Sequence, residues 1–177
     1  MQSDKFTALV RNAIGAAQSA ALAANHQKLT AEHVLAALLK DDNMTVKMLL
    51  AKAGADSASL SALLKAGLDK FPQVTGSGAG QLQLDADLAR LFSSVEAEAK
   101  ARHDQFIAGE LLLLAMAKST GSVGKILKKA GVEPPPLGSA IDEMRKGRSA
   151  DSDAAEDSYD ALSRYTSDLT ESARNGK

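Results

Sequence analysis

The sequence contains two copies of one segment, and this duplication limits the possible folds more than any other feature. The stretch TAEHVLAAL at 30–38 corresponds to AGELLLLAM at 108–116, with a glutamate at the same place in each. A shift of 78 residues superimposes Glu32 on Glu110 and also aligns the apolar residues around them. Beyond the next turn the shift becomes 77, so that Gly54 falls on Gly131. Self-similarity of this kind predicts two copies of one small folding unit.

Each copy has the pattern of about four helices. Apolar residues such as Val10 and Ile14 recur at helical spacing, which gives one buried side per helix. Thr7 and Asp85 are placed to cap the first helix of each copy, and Gly54 is placed to end a third helix. The apolar residues are mostly Ala and Leu, with only 3% aromatics, which favours helices over sheets. We therefore predict an all-α fold of two tandem pseudo-repeats.

The amino-acid composition indicates which kinds of binding partner and which cellular compartment to expect. The chain has 21 basic and 22 acidic residues, and this balance gives no general attraction for nucleic acid. The absence of Cys removes disulfides and thiolate sites, as is typical of proteins in a reducing compartment. The sequence has neither a signal-peptide pattern at MQSDKF nor an uncharged apolar run of membrane-spanning length. We expect a cytoplasmic protein with no nucleic-acid or membrane partner.

The motifs of common enzymes are missing. The Gly-rich stretch at 72–81 lacks the lysine and hydroxyl of a phosphate-binding loop, and Gly124 followed by Lys125 lacks the required upstream glycine. No nucleophile elbow is found. Three histidines have no metal-ligand spacing, namely His26, His33 and His103. We predict that this chain is not an enzyme and has no catalytic residue, no metal and no cofactor.

Linker composition suggests the boundaries. We predict a double-repeat domain over residues 1–147, with the repeats at about 6–71 and 84–147. Small and charged residues at 148–156 predict a flexible linker. Residues 157–177 predict one partial helix with an apolar face and no partner, so we expect that the natural chain continues.

Several motifs together resemble one family. LTAEHVLAAL with VKMLLAKAG, repeated as IAGELLLLAM with VGKILKKAG, resembles the doubled N-terminal repeat of Clp-family AAA+ unfoldases. Three further segments are similar to the ClpB disaggregase branch, namely DKFT, FPQVTGSGAGQ and YDALSRYTSDLTESARNGK. These motifs cover nearly the whole chain. The last of them resembles the point at which such chains enter their first ATPase module.

The resemblance implies a substrate-binding N-terminal domain of a larger machine. In that family the complete chain is an ATP-driven homohexamer acting on unfolded or aggregated polypeptides, with ATP and Mg²⁺ confined to modules beyond this sequence. We expect the fragment itself to be a monomer. The alternative is an adaptor-docking or helix-docking N-domain, as in ClpA, ClpC or secretion-linked relatives. A free-standing protein made only of the two repeats is a third interpretation.

The family pattern places substrate engagement in the crevice between the repeats. The matching positions are Thr7, Phe92, Asp104, Glu110 and Leu111. Four of these five have a structural alternative: Thr7 as a helix cap, the two carboxylates as partners of a helix dipole, and Leu111, with the run to Leu114, as core packing. Glu32, the twin of Glu110, could act similarly in the first copy.

Overall fold

The computed structural model describes residues 3–40, 44–159, 161 and 172–176. The α-helices of the first repeat are α1 (Ala8–Ala23), α2 (Ala31–Lys40), α3 (Met44–Lys52) and α4 (Ser57–Asp69). Those of the second are α5 (Ala86–Ala101), α6 (Gly109–Lys118), α7 (Ser122–Lys129) and α8 (Pro134–Arg145). The backbone is helical again at 155–159. The rest of the last predicted helix lies largely outside the described residues.

Side chains that precede the helices hold their first turns. Thr7 Oγ1 accepts a hydrogen bond from the Val10 amide at 3.4 Å, and Asp85 Oδ2 accepts one from the Asp87 amide at 3.0 Å. Such caps satisfy amide groups that have no partner within the helix. The two predicted caps are therefore confirmed, and so is the all-α fold of two four-helix repeats.

Backbone details recur at the spacing of the duplication. Asn25 and His103 lie 78 residues apart, and both have positive φ, 56° and 62°, directly after the first helix of their repeat. Gly54 and Gly131 end the third helices with φ of 88° and 90°. Since the left-handed region suits few residues, these repeated turns show that the two copies share one backbone path.

The two repeats exchange contacts across a pseudo-twofold axis. Strand β1 (Lys28–Leu29) pairs in parallel with strand β2 (Gln83–Leu84), and Phe6 forms a parallel bridge with Ile107. The second pairing is the first displaced by 78 residues. In the same way α4 of the first repeat packs on α7 of the second, and α8 packs on α3. Each repeat therefore completes the other.

One hydrophobic core extends through both repeats. It includes the apolar stripes of α1 and α5 and the whole run from Leu111 to Leu114. The strands were not predicted, because two residues are too few for an alternating pattern. Among the described residues, no helix combines the length and apolar character needed to cross a bilayer.

Candidate functional site

Three of the five predicted site residues meet in one buried polar network. Thr7 at the start of α1, Glu110 in the first turn of α6 and Asp104 in the turn before it all have side chains without exposed surface. The duplication explains this convergence. In each repeat the first and second helices begin at the boundary with the other repeat, so that the start of α1 lies near the start of α6. Leu111 adjoins this network on α6, whereas Phe92 lies in a separate cleft.

Arg145, the last residue of α8, joins the two carboxylates. Its Nε donates to Glu110 Oε1 at 2.9 Å, and its Nη1 donates to both oxygens of Asp104 at 3.0 and 2.9 Å. Asp104 Oδ1 also accepts from the Ala150 amide at 2.9 Å, while Glu110 Oε2 has no hydrogen-bond partner among the residues described. Burial raises the pKa of the Glu110 carboxyl above its ordinary value, and the nearby Arg145 guanidinium opposes that rise.

The residues at 150–159, called here the tail segment, lie over this network. Glu156 Oε1 accepts from the Thr7 hydroxyl at 2.6 Å and from the Gly109 amide at 2.8 Å. Gly109 is the first residue of α6, so the Glu156 carboxyl occupies the positive end of that helix. A Cβ on Gly109 would come within 2.9 Å of Leu9, so the approach of the two helices leaves little space there.

Further contacts fasten the tail segment at both ends. The Ala150 carbonyl accepts from the Gln105 and Phe106 amides, at 3.1 and 3.0 Å, and the Asp153 carbonyl accepts from the Ala8 amide at 2.7 Å. At the other end the Tyr159 ring is buried against two arginines. The guanidinium carbons of Arg145 and Arg148 lie 5.7 and 5.1 Å from the ring centroid.

The docked tail segment buries two titratable groups. Burial raises the pKa of Glu156 to about 7, Glu110 adds to the rise, and the hydrogen bonds from Thr7 and Gly109 oppose it. Burial likewise raises the pKa of Tyr159 to about 12, and the Tyr159 hydroxyl has no hydrogen-bond partner within the described ranges. These groups make docking less favourable than its contacts alone suggest.

Leu111 and Phe92 have different surroundings. Leu111 has 0% of its surface exposed, which favours the packing interpretation of the leucine run. Phe92 packs edge-on against Phe6, with ring centroids 5.4 Å apart, and lines a cleft of about 330 Å³. Leu84, which is 45% exposed, lies in the same cleft.

A larger cleft opens between the repeats, and we call it the seam cleft. It has a volume of about 500 Å³. Its apolar lining comes from α4, α5 and α7, namely Leu63, Ala66, Leu91, Val123 and Ile126. Its other side includes Ala31 and Glu32 at the start of α2, together with Asp85. The predicted crevice between the repeats is thus present, although its lining is not the predicted set of residues.

The seam cleft and the tail-covered network are related by the pseudo-twofold axis. Ala31, Glu32 and Asp85 of the seam cleft align with Gly109, Glu110 and Thr7, each displaced by 78 residues. The alignment extends to α7 and α3, because Val123 lines the seam cleft and its counterpart Val46 lies beside Gly109. One set of helix starts therefore lines the seam cleft, and the tail segment covers the equivalent set.

Histidines replace the charged network in the first repeat. His26 and His33 align with Asp104 and Leu111. The nitrogens His26 Nδ1 and His33 Nε2 lie 2.8 Å apart, and His33 Nδ1 accepts from the Thr30 amide at 3.2 Å. Burial, with His26 nearby, lowers the pKa of His33 to about 4, so the His33 ring is neutral near pH 7. The stacked Phe71 ring completes this packing, which is structural.

Sequence reasoning missed Arg145, Glu156 and Tyr159. Arg145 follows Leu137, Ile141 and Met144 on the buried side of α8, and an arginine on an apolar stripe is a signal for a buried carboxylate partner. Glu156 lies in the predicted linker, and Tyr159 lies in the predicted partial helix, whose apolar face was expected to have no partner. The structure instead holds both against the domain.

Comparison with known proteins agrees with this architecture. The family model of the Clp repeat N-terminal domain matches residues 5–159. A solved structure of the Hsp104 N-terminal domain from Candida albicans superimposes with a TM-score of 0.75 at 20% identity, covering 86% of this chain and 99% of that one. The N-terminal domain of ClpV1 from E. coli superimposes with a TM-score of 0.63 at 20% identity, covering 77% and 83%.

Sequence relatives are more similar. Chaperone protein ClpB of Rhodopseudomonas palustris is 42% identical over 178 residues, and that of Agrobacterium fabrum is 44% identical. Each alignment covers all of this chain and 20% of the relative, so the chain spans about a fifth of the length of these proteins. The double four-helix repeat thus defines a Clp-type N-domain. The chain belongs to the Clp repeat N-terminal domain family, and its sequence is similar to the N-terminal region of ClpB chaperones.

Proposed function

We propose that this chain is the substrate-recognition domain of a ClpB-like protein disaggregase and that it weakly binds exposed apolar segments of unfolded or aggregated polypeptides. The observation that carries the proposal is the seam cleft, with apolar side chains from both repeats and about 500 Å³ of open volume. A cleft of this size accommodates two or three side chains of an extended segment. The predicted residues Thr7, Phe92, Asp104, Glu110 and Leu111 remain part of the proposal as a second region of contact.

The expected affinity is modest. Burial of two or three substrate side chains supplies roughly 1.5–3 kcal/mol each. Ordering a flexible segment and immobilising it offset much of this gain, which leaves roughly micromolar binding at best. Weak contact suits a domain that passes its substrate onward, and several linked copies would raise the overall affinity.

The remaining activity belongs to the longer protein. We propose that the parent is an AAA+ ATPase that assembles as a homohexamer in the cytoplasm, with ATP and Mg²⁺ bound by modules beyond this chain. The support is the similarity of the whole chain to one fifth of the length of ClpB relatives. The isolated domain is expected to be monomeric.

A second candidate is the docking of a dedicated partner. One solved structure that superimposes with a TM-score of 0.64 carries the name of a peptide from the Sci1 SciI protein. Docking of a peptide or an adaptor protein on this fold is therefore the alternative to binding of unfolded substrates. The two candidates differ in selectivity. An adaptor site would ignore a generic unfolded chain, whereas a substrate site would bind it.

A variant on the rim of the seam cleft tests the proposal. Ala66 is exposed on α4 and lines the cleft, so Ala66→Glu puts a carboxylate where an apolar segment would pack. Burying that charge costs about 1–3 kcal/mol, so binding of reduced, carboxymethylated lactalbumin should weaken roughly fivefold or more. The measurement is a fluorescence titration of the labelled unfolded chain.

Ala62→Glu is the matched control, because Ala62 is exposed on the same helix and does not line the cleft. It should bind like the unchanged protein. Equal affinities for the Ala66 and Ala62 variants would contradict binding in the seam cleft. Absence of binding by the unchanged protein would favour a dedicated partner.

A further inference from the structure

The tail segment covers one set of helix starts, and the equivalent set lines the seam cleft. The pseudo-twofold axis relates Ala31, Glu32 and Asp85 of the seam cleft to Gly109, Glu110 and Thr7. Among the residues that the structure describes, the tail segment lies on the second set, and we call this covered site the second cleft. The occupant therefore shows which chemistry that cleft accepts.

Two side chains of the tail segment, Glu156 and Tyr159, are buried against the domain. Glu156 places its carboxyl at the start of α6, and Tyr159, three residues later and one helical turn away, lies on Arg145 and Arg148. The cleft thus accepts a short helical segment with a carboxylate followed one turn later by an aromatic ring. Neighbouring positions such as Asp157 and Ser158 are exposed and make no comparable contact with the domain.

The covered residues coincide with the predicted site. Thr7 and Glu110, both matched to the family's substrate-engaging positions, have 0% exposed surface while the tail segment is docked. A polypeptide can reach Thr7 and the Gly109 amide only if Glu156 leaves them, since Glu156 holds both. Occupancy by the tail segment and by a substrate is therefore mutually exclusive at this cleft.

The docked tail segment also has identifiable weak points. Among the described residues the buried Tyr159 hydroxyl has no hydrogen-bond partner, and residues 151–154 are exposed. A buried hydroxyl without a protein partner is a cost to the docked state. A segment held by a few contacts of this kind can open locally without unfolding the core.

We propose that the tail segment is a latch, which closes this cleft in cis and competes with an unfolded polypeptide for Thr7 and the start of α6. The proposal rests on the proposed function, since it concerns access to a polypeptide site. Releasing the latch should expose the second cleft and strengthen binding, because apparent affinity scales with the fraction of molecules that are open. If the latch is closed nine-tenths of the time, the gain is about tenfold.

The first test compares Glu156→Ala with Asp157→Ala, which removes a carboxylate from the adjacent exposed position. In Glu156→Ala, hydrogen exchange should accelerate at the Gly109, Ala8 and Phe106 amides, which contact the tail segment, while the core amide of Leu112 stays protected. Reduced, carboxymethylated lactalbumin should bind up to about tenfold more tightly to this variant. Asp157→Ala should match the unchanged protein in both measurements.

A second variant should act in the opposite direction. Tyr159→Phe removes a hydroxyl that has no partner in the part of the chain that the structure describes, and it keeps the ring on the two arginines. The substitution should therefore slow exchange at Gly109 and weaken binding several-fold. This variant keeps the proposal testable if Glu156→Ala fails to fold. A synthetic peptide of residues 150–159, added to Glu156→Ala, should restore the Gly109 amide shift and displace lactalbumin.

The outcomes separate the latch from the proposed function. Faster exchange at Gly109 without tighter binding would overturn the latch and leave binding at the seam cleft intact. Unchanged exchange at Gly109 in Glu156→Ala would overturn the role of Glu156 as the fastening residue. If no variant and not even the unchanged protein binds lactalbumin, the proposed function itself fails.

Discussion

Arg145 illustrates how a single side chain sets the chemistry of the interior. Its guanidinium lies between Asp104 and Glu110, and all three side chains are almost fully buried. Removing water from charges is costly, so such groups are stable inside a protein only when each finds a partner of opposite sign. The third carboxyl, Glu156, has no cation within hydrogen-bonding distance among the described residues and is held by Thr7 and Gly109. Burial raises the pKa of Glu156 to about 7, and the nearby Glu110 carboxyl adds to the rise.

The Gly109 amide is expected to report the titration of Glu156. The pKa of Glu156 is about 7 when docked and 4.5 in its ordinary state, so the docked form retains its proton to higher pH. Docking of the tail segment is therefore most favourable below pH 4.5 and weakens as the pH rises towards about 7. Above that pH the free energy of docking no longer changes with the titration of Glu156. The amide shift of Gly109, followed from about pH 5 to 8, should titrate with a midpoint near 7 and show no such transition in Glu156→Gln.

The titration of Glu156 must be distinguished from the titration of other groups in the protein. Glu110, Asp104 and Arg145 lie in the same region, and burial also raises the pKa of Glu110. A Gly109 titration that persists in Glu156→Gln would therefore contradict its assignment to Glu156. Global melting is a poor readout, because His33 has a pKa lowered to about 4. Stability from neutral His33 is lost as pH falls through the interval from 6.5 to about 4, the opposite direction to Glu156.

At the scale of elements, the glycines inside helices have different roles. Gly124 in α7 lies against the end of α6, where a Cβ would be 1.8 Å from the Ser119 carbonyl oxygen and 3.2 Å from that of Met116. Gly138 in α8 has no atom near its missing Cβ. Gly124, which precedes a lysine in the sequence, is therefore required for the packing of two helices.

Alanine substitutions at these two positions should have opposite effects. Gly138→Ala should stabilise the protein by about 0.5–1 kcal/mol, because alanine restricts the unfolded chain and favours the helix. Gly124→Ala should destabilise it by about 1–3 kcal/mol or more, since α7 must move away from α6. Urea unfolding monitored by circular dichroism measures both. A stable Gly124→Ala protein would contradict the close contact between these helices.

At the scale of the whole molecule, the exchange of helices and strands makes the two repeats interdependent. The third helix of each repeat packs on the fourth helix of the other, and the β1–β2 pair also links them. Neither repeat can then keep its core when the other unfolds. We expect one cooperative unfolding transition rather than two.

Leu127→Ala tests this coupling. Leu127 is fully buried in α7, so the substitution should cost about 2–5 kcal/mol through lost contacts and a cavity. Native-state hydrogen exchange should then accelerate equally for the most protected amides of both repeats. Leu50→Ala, at the equivalent position in α3, should have the same global effect. Acceleration confined to α5–α8 in the Leu127 variant would indicate two independent units.

The sequence by itself determined what depends on neighbours along the chain. Helix limits, the caps at Thr7 and Asp85 and the duplication follow from apolar spacing, capping side chains and glycine turns, all of which act within a few residues. The resemblance also brought Thr7, Asp104 and Glu110 together as one site.

Only the tertiary structure decided how the repeats exchange contacts and what covers the site. The pairing of β1 with β2, the partnership of Arg145 with Asp104 and Glu110, and the docking of Glu156 and Tyr159 all join residues far apart in sequence. Such contacts leave no periodic pattern, because they depend on which helix starts and ends meet after the chain has packed.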